Sequence, residues 1–274
     1  MRRTAYRIIA VVSTILASSM VFTACSGSTA TTGNNSPSTP TAASVQAYAN
    51  PITENVLVSL RNNDYTSFSK DFDQTAKSAI GEATFAQTYT QISATIGSYQ
   101  SLLYFNYSTQ NANATTVLYV ARYSNEPAGV TVTMVFQKDG GTQYVHGFTL
   151  DSPKLRGQSI DVAEVRAYAD PETENVLVSL GKDEYETFSK DFDSTMKSSI
   201  NASSFRQLHN TVKTTAGDYV SQEFESVSLT NGIYTLRYLA QYTDEPAGVW
   251  VTISFDNKEK VAGLYFNSPK LNGQ

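Results

Sequence analysis

The spacing of apolar residues changes from helical to strand-like halfway along each of two similar stretches. Val56, Leu57, Leu60, Tyr65, Phe68, Phe72, Ala76 and Ile80 recur every three or four positions, the spacing that gives a helix one buried face. Asp64, and Asp183 in the later stretch, stand where an N-cap would open a second helix after a short polar break. A third helix is predicted over 83–96 and again over 203–216, with Phe85, Ile92 and Ile96 inward and Gly97 or Gly217 supplying the left-handed residue that ends it. After the glycine the period falls to two: residues 99–107, 116–123, 130–136 and 144–150 are rich in Tyr, Val, Thr and Phe and separated by turn residues. The expected fold class is α+β, with each unit built of three helices followed by a four-stranded curved antiparallel sheet that they cover on one face.

The two stretches are one unit written twice. Residues 48–60 recur as 168–180 with only Asn50 changed to Asp170 and Ile52 to Glu172; 68–73 return at 188–193, 126–130 at 245–249 and 152–155 at 268–271. Two short deletions in the second copy explain the drifting offset. One falls between the first two strands and the other in the turn after Phe255, both places where loops are expected. Units of this size sustain their own cores, which favours tandem domains, 45–158 and 162–274, over a solenoid of shorter repeats.

A spaced pattern runs through both copies: Leu-x-x-x-Asp-Tyr-x-x-Phe-x-x-Asp-Phe-Asp from Leu60 with its counterpart from Leu180, then Ala76-Lys77 or Met196-Lys197, and a closing Val-x-Gly-x-x-Leu/Phe from Val145 and Val261. This pattern resembles the bacterial domain of unknown function 3887, a family similar to the nuclear transport factor 2-like (cystatin-like cone) superfamily. The resemblance covers nearly everything beyond residue 44 and implies a cone fold with an accessory or binding role. It carries no catalytic residue across, and the sequence contains no Gly-x-Ser-x-Gly elbow of the serine hydrolases that accompany such domains in relatives.

The N-terminal segment supplies an address. Arg2, Arg3 and Arg7 precede an apolar run over 8–22, shorter than the roughly 20 residues a spanning helix needs, so 1–24 reads as a signal peptide. Phe22-Thr23-Ala24-Cys25 looks like a lipobox, which makes Cys25, the only cysteine, the expected acylation site of a lipoprotein. Acyl chains contribute about 0.8 kcal/mol per buried CH₂, so two or three of them hold a protein on a bilayer without help from its folded part. The uncharged segment 25–44 reads as a disordered Ser/Thr-rich tether, with an average span of about 25 Å. The expected location is the extracytoplasmic face of a bacterial membrane. Past residue 24 the chain carries 17 basic and 25 acidic residues, a net charge of −8, which argues against nucleic acid as a partner.

Candidate chemistry is sparse. Two histidines and one cysteine leave no metal cage, and no cofactor is expected. His146 aligns with Ala262 and His209 with Tyr89, so neither serves a function shared by both copies. Asp71 and Asp73, like Asp191 and Asp193, flank a phenylalanine; on a helix they diverge and do not converge on one proton. The segments 126–129 and 245–248, Glu-Pro-Ala-Gly, read as turns between strands. Among the 17 tyrosines, Tyr119, Tyr123, Tyr238 and Tyr242 lie on one side of the second strand of each unit and are the candidate ligand-pocket residues, each an apolar ring with a hydrogen-bonding tip. Trp250 falls on the opposite sheet face as a candidate for domain–domain or partner contact. The leading expectation is a non-enzymatic, membrane-anchored module that binds a small molecule, a cell-wall component or another protein. The alternatives are a cone-fold enzyme (isomerase, dehydratase or hydrolase type) pairing Asp73 or Asp193 with Tyr119 or Tyr238, and an assembly module in which the sheet faces pack together.

Overall fold

The computed structural model describes residues 40–111 and 113–272. The signal peptide, Cys25 and nearly all of the expected tether lie outside these residues. Helix α1 (Ala42–Arg61) opens on Thr41, whose hydroxyl accepts from the Ser44 amide, so its first turn lies within the stretch assigned to the tether by composition. Val45, Ala49, Val56, Leu57 and Leu60 form its buried stripe.

Each domain has four helices where the apolar spacing suggests three. After α1 come α2 (Tyr65–Ser69), α3 (Gln74–Ala79) and α4 (Glu82–Thr95). The expected second helix breaks because Phe72 leaves it to form a parallel bridge with Val145. There the Asp73 amide donates to the Val145 carbonyl at 3.0 Å and the Val145 amide to the Asp71 carbonyl at 2.8 Å. Asp73 then caps α3, accepting from the Ala76 amide at 2.8 Å. Backbone bonds to the sheet thus replace helical ones and tie the helical layer to the last strand. Asp64 caps α2 through the Ser67 amide at 3.1 Å. Asp183 does not cap its helix: it sits in the preceding turn at φ 59, and Glu184 holds the cap position.

The sheet of the first domain runs β1 (Tyr99–Asn111), β2 (Ala114–Tyr123), β3 (Glu126–Asp139) and β4 (Thr142–Asp151), antiparallel and in sequence order. The second domain repeats the plan with α5 (Val162–Gly181), α6 (Tyr185–Phe188), α7 (Ser194–Ser199), α8 (Ala202–Thr215), β5 (Tyr219–Thr230), β6 (Ile233–Tyr242), β7 (Glu245–Phe255) and β8 (Val261–Asn267). Strand alternation turns Val130, Val132, Met134 and Phe136 toward the helices. Phe68, Phe72, Phe85, Tyr119 and Phe136 fill the first cone; Phe188, Phe205, Tyr238 and Phe255 are fully buried in the second.

The Glu-Pro-Ala-Gly segments are not turns. β3 starts at Glu126, and the bulge between the Tyr123–Glu126 and Ala121–Val130 pairs lodges Pro127 within the strand. The Glu126 carboxylate is buried and accepts from the Ser152 hydroxyl at 2.7 Å and the Lys154 amide at 3.1 Å. Glu245 repeats this with Ser268 at 2.9 Å and Lys270 at 3.2 Å. The repeated motifs at 126–130 and 152–155 are therefore one device that clamps the end of each domain onto its sheet.

The outer sheet faces of the two domains meet. Phe105 and Glu225 hold equivalent positions, each at a register slip on the first strand of its sheet, and each is received by the other domain. The Phe105 ring meets Trp250 edge-on at 5.2 Å and lies under the Arg237 guanidinium at 4.8 Å. The Trp250 indole donates to the Tyr104 carbonyl at 2.9 Å, so Trp250 makes a domain–domain contact. Glu225 accepts from Arg122 at 2.8 Å. Gly129 (φ +74) lies so close to β5 that a Cβ there would come within 2.6 Å of the Glu225 carbonyl. Ala128 packs into the second domain's core.

Candidate functional site

Where the long helix of each domain leaves the edge of its sheet, a cleft opens. The first, about 290 Å³, is lined by Asn50, Pro51 and Glu54 from α1 and by Leu102, Tyr104 and Tyr119 from β1 and β2. The second, about 350 Å³, is lined by Arg166, Asp170, Pro171 and Glu174 from α5 and by Gln222, Phe224 and Tyr238 from β5 and β6. Asn50 corresponds to Asp170, Leu102 to Gln222, and Tyr104 to Phe224, whereas the proline, the glutamate and the inner tyrosine are identical. The two clefts are the same place in the fold with different linings.

In each cleft the inner tyrosine is buried, and its hydroxyl reaches back to the helix. Tyr119 donates to Asn50 Oδ1 at 3.1 Å, and Tyr238 donates to Asp170 Oδ1 at 2.7 Å. Burial pushes both phenols well above their ordinary pKa, and for Tyr238 the hydrogen bond to Asp170 and its negative charge add to the effect. The glutamates are held alike: Tyr99 donates to Glu54 Oε2 and Tyr219 to Glu174 Oε2, both at 2.5 Å. Only the second cleft has a cation in its lining. Arg166 pairs with Asp170 at 2.8 Å, a contact that raises the arginine's already high pKa, and its guanidinium lies 4.7 Å from the centre of the Phe224 ring. At the matching position the first domain has Gln46.

Tyr119 and Tyr238 therefore line these two clefts, whereas Tyr123 and Tyr242 do not; Tyr242 borders a separate recess of about 10 Å³ with Leu180, His209 and Lys213. Tyr123 and Tyr242 stack edge-on against Tyr99 at 5.8 Å and Tyr219 at 5.7 Å, deeper in each domain. Their buried hydroxyls have no hydrogen-bond partner among the described residues, and desolvation raises their pKa. Alternation puts all four tyrosines on one face, but only the position nearer the helix's departure reaches the opening.

The two pairings expected of an enzyme, Asp73 or Asp193 with Tyr119 or Tyr238, are not assembled; the inner tyrosines meet Asn50 and Asp170 instead. Asp73 lines a separate groove of about 450 Å³ with Phe72, Gln74, Gln137, Lys138, Asp139 and Tyr144, away from Tyr119. Asp193 caps α7 through the Met196 amide at 2.6 Å. His146, which aligns with Ala262, contacts Asp73 Oδ2 through Nδ1 at 2.6 Å, a pair that spacing alone does not reveal. His209 Nδ1 lies 2.6 Å from the Leu180 carbonyl. Among the described residues no three His, Cys, Asp or Glu side chains converge to hold a metal ion, and no helix is long and apolar enough to cross a membrane.

The family model described as "Protein of unknown function (DUF3887)" matches twice, over residues 53–141 and 173–264. No curated protein matches the chain. Among solved structures, a domain of unknown function with a cystatin-like fold from Nostoc punctiforme is 12% identical with a TM-score of 0.32, covering 64% of this chain and 98% of its own. A DUF4783 family protein from Bacteroides uniformis is 14% identical with a TM-score of 0.27, covering 36% of this chain and 94% of its own.

Proposed function

Because the chain belongs through both of its halves to the family described as Protein of unknown function (DUF3887), a description that carries no chemistry, we propose a role from its clefts: a lipid-anchored, extracytoplasmic module that binds a ligand without transforming it. The ligand is a small molecule, a wall component or an exposed group of a partner protein. The observation that carries this reading is the cleft kept at one place in both copies, with a constant frame of proline, glutamate and tyrosine and a variable lining. Volumes of about 290 and 350 Å³, with an aromatic pair and a few oriented polar groups in each, suit small-ligand recognition. Duplication suits it too, since two linked sites raise apparent affinity through effective concentration.

The Asp170–Tyr238 contact is the feature that favours the enzyme reading. It works against general-base chemistry, because Asp170 already accepts from both Arg166 and Tyr238, and the Tyr238 hydroxyl is harder to ionise than usual. Cys25 and the tether behind it support the anchor.

Two experiments test the proposal. Thermal-shift screening of the full chain against a panel of neutral, anionic and cationic small molecules should find compounds whose stabilisation disappears when Leu102→Trp or Gln222→Trp fills a cleft. Turnover of any compound, or stabilisation that survives both fillings, would overturn the binding role. Cys25→Ser should abolish fatty-acid labelling and release the protein from membranes; unchanged labelling would refute acylation at that thiol.

A further inference from the structure

The two copies differ at one position in a way that suggests what the first cleft receives. In the second cleft the chain's own Arg166 lies over an aromatic ring, 4.7 Å from the Phe224 centroid, and is held there by Asp170 at 2.8 Å. The first cleft keeps the aromatic pair: the Tyr104 ring stands where Phe224 stands and meets Tyr119 edge-on at 6.0 Å, as Phe224 meets Tyr238 at 5.9 Å. Asn50 stands in place of Asp170, which leaves Glu54 as the carboxylate of the lining. Position 46 is glutamine, so no cation from the helix covers Tyr104. Glu54 lines the opening and commits only one carboxylate oxygen, Oε2, to Tyr99. The cleft lining contains no positively charged side chain.

From this comparison we infer that the first cleft is a receptor for a monovalent organic cation, an ammonium or guanidinium group seated over Tyr104 beside the Glu54 carboxylate, at the place Arg166 occupies in the second cleft. An aromatic face and a carboxylate beside it are the chemistry that recognises such groups. In the second cleft the place over the ring is taken by its own arginine, while about 350 Å³ stays open beside it. The inference rests on the clefts being binding sites and adds the charge of the ligand and the inequality of the two sites.

The test is a titration of the full chain followed by NMR, with amide signals of Leu102 and Tyr104 reporting the first cleft and those of Gln222 and Phe224 the second. The probes are butylammonium, the capped tripeptide Gly-Lys-Gly, and their uncharged counterparts butanol and capped Gly-norleucine-Gly. Both cationic probes should move the first-cleft signals and spare the second, and the neutral ones should bind at least about fivefold more weakly. Equal affinity for butylammonium and the lysine peptide assigns the site to free amines. A tenfold preference for the peptide assigns it to a cationic side chain of a partner; either result sustains the inference. Gln46→Arg should close the first cleft to both probes, and Arg166→Gln should open the second. Tyr104→Leu, which removes the ring face and keeps an apolar side chain, should weaken binding by about fivefold. Equal binding of the neutral probes would overturn the cation assignment while leaving the clefts as binding sites. Shifts that map outside both clefts, or that persist in Gln46→Arg and Tyr104→Leu, would overturn the site itself.

Discussion

Replacing Glu225 by glutamine should stabilise the protein above pH 7, even though it removes one of the two acidic partners of Arg122, the other being Glu223. The Glu225 side chain is 2% exposed and accepts from Arg122 at 2.8 Å. Burial is the largest influence on its pKa, and it outweighs the favourable pull of Arg122, so that with a contribution from Glu223 the carboxyl is raised to about 7 from 4.5. Between those values the native protein holds a proton that the unfolded chain has released. Stability from this group is therefore present at pH 4.5 and lost as pH rises through 7. A separation of about 2.5 pH units corresponds to roughly 3 kcal/mol, at 1.36 kcal/mol per unit. Glutamine keeps the shape and carries no charge to bury, although it gives up a charge-assisted bond, so a net gain of about 2 kcal/mol at pH 8 is expected. Trp250, the only tryptophan, lies in the same seam, so urea unfolding followed by its fluorescence at pH 5 and pH 8 reads the effect directly. The wild type should be weaker at pH 8 than at pH 5, and Glu225→Gln should flatten most of that slope. The remainder belongs to Glu172, which burial, with Asp191 nearby, also raises to about 7. A Glu225→Gln protein less stable than wild type at pH 8 would show that the ion pair outweighs its desolvation and would refute the reasoning.

Other substitutions read other parts of the structure. Trp250→Ala removes a 5% exposed ring and its bond to Tyr104; it should cost about 3 kcal/mol and split one unfolding transition into two, seen by circular dichroism in denaturant. Glu126→Ala leaves the buried Ser152 hydroxyl without its carboxylate and should cost about 2 kcal/mol, with faster proteolysis at residues 152–158. Tyr119→Phe removes the bond to Asn50, should cost about 1 kcal/mol, and should leave the shape of the first cleft unchanged in a crystal structure.

The repeat, the order of helices and strands, and the inward residues of β3 and β7 are legible in the sequence because burial on one face writes itself as periodicity. The break at Phe72 is not, since Tyr65, Phe68, Phe72 and Ala76 fit one continuous helix and only the bridge to Val145 in the distant last strand interrupts it. Asp73 two residues before Thr75-Ala76 was the available cue, as an N-cap. Pro127 suggests a turn by its type, and its place in a strand depends on a bulge that forms only against β2. The clefts lie further from view. Asn50 and Leu102 approach one another only after a helix leaves a sheet edge, and the substitution of Arg166 for Gln46 acquires meaning once Phe224 is known to lie beneath it. Alternation alone puts Trp250 on the outer sheet face, whereas its partner Phe105 depends on the bulge in β1.

Hydrogen exchange on the full chain, with and without the most strongly stabilising compound from the panel, tests the binding role most directly. The expected result is slowed exchange confined to the lips of the clefts, around residues 50–54 and 102–104 and, for compounds that enter the second cleft, 170–174 and 222–224. Slowed exchange centred on the groove at Asp73 and Tyr144, or spread along the Phe105–Trp250 seam with the clefts unaffected, would contradict it.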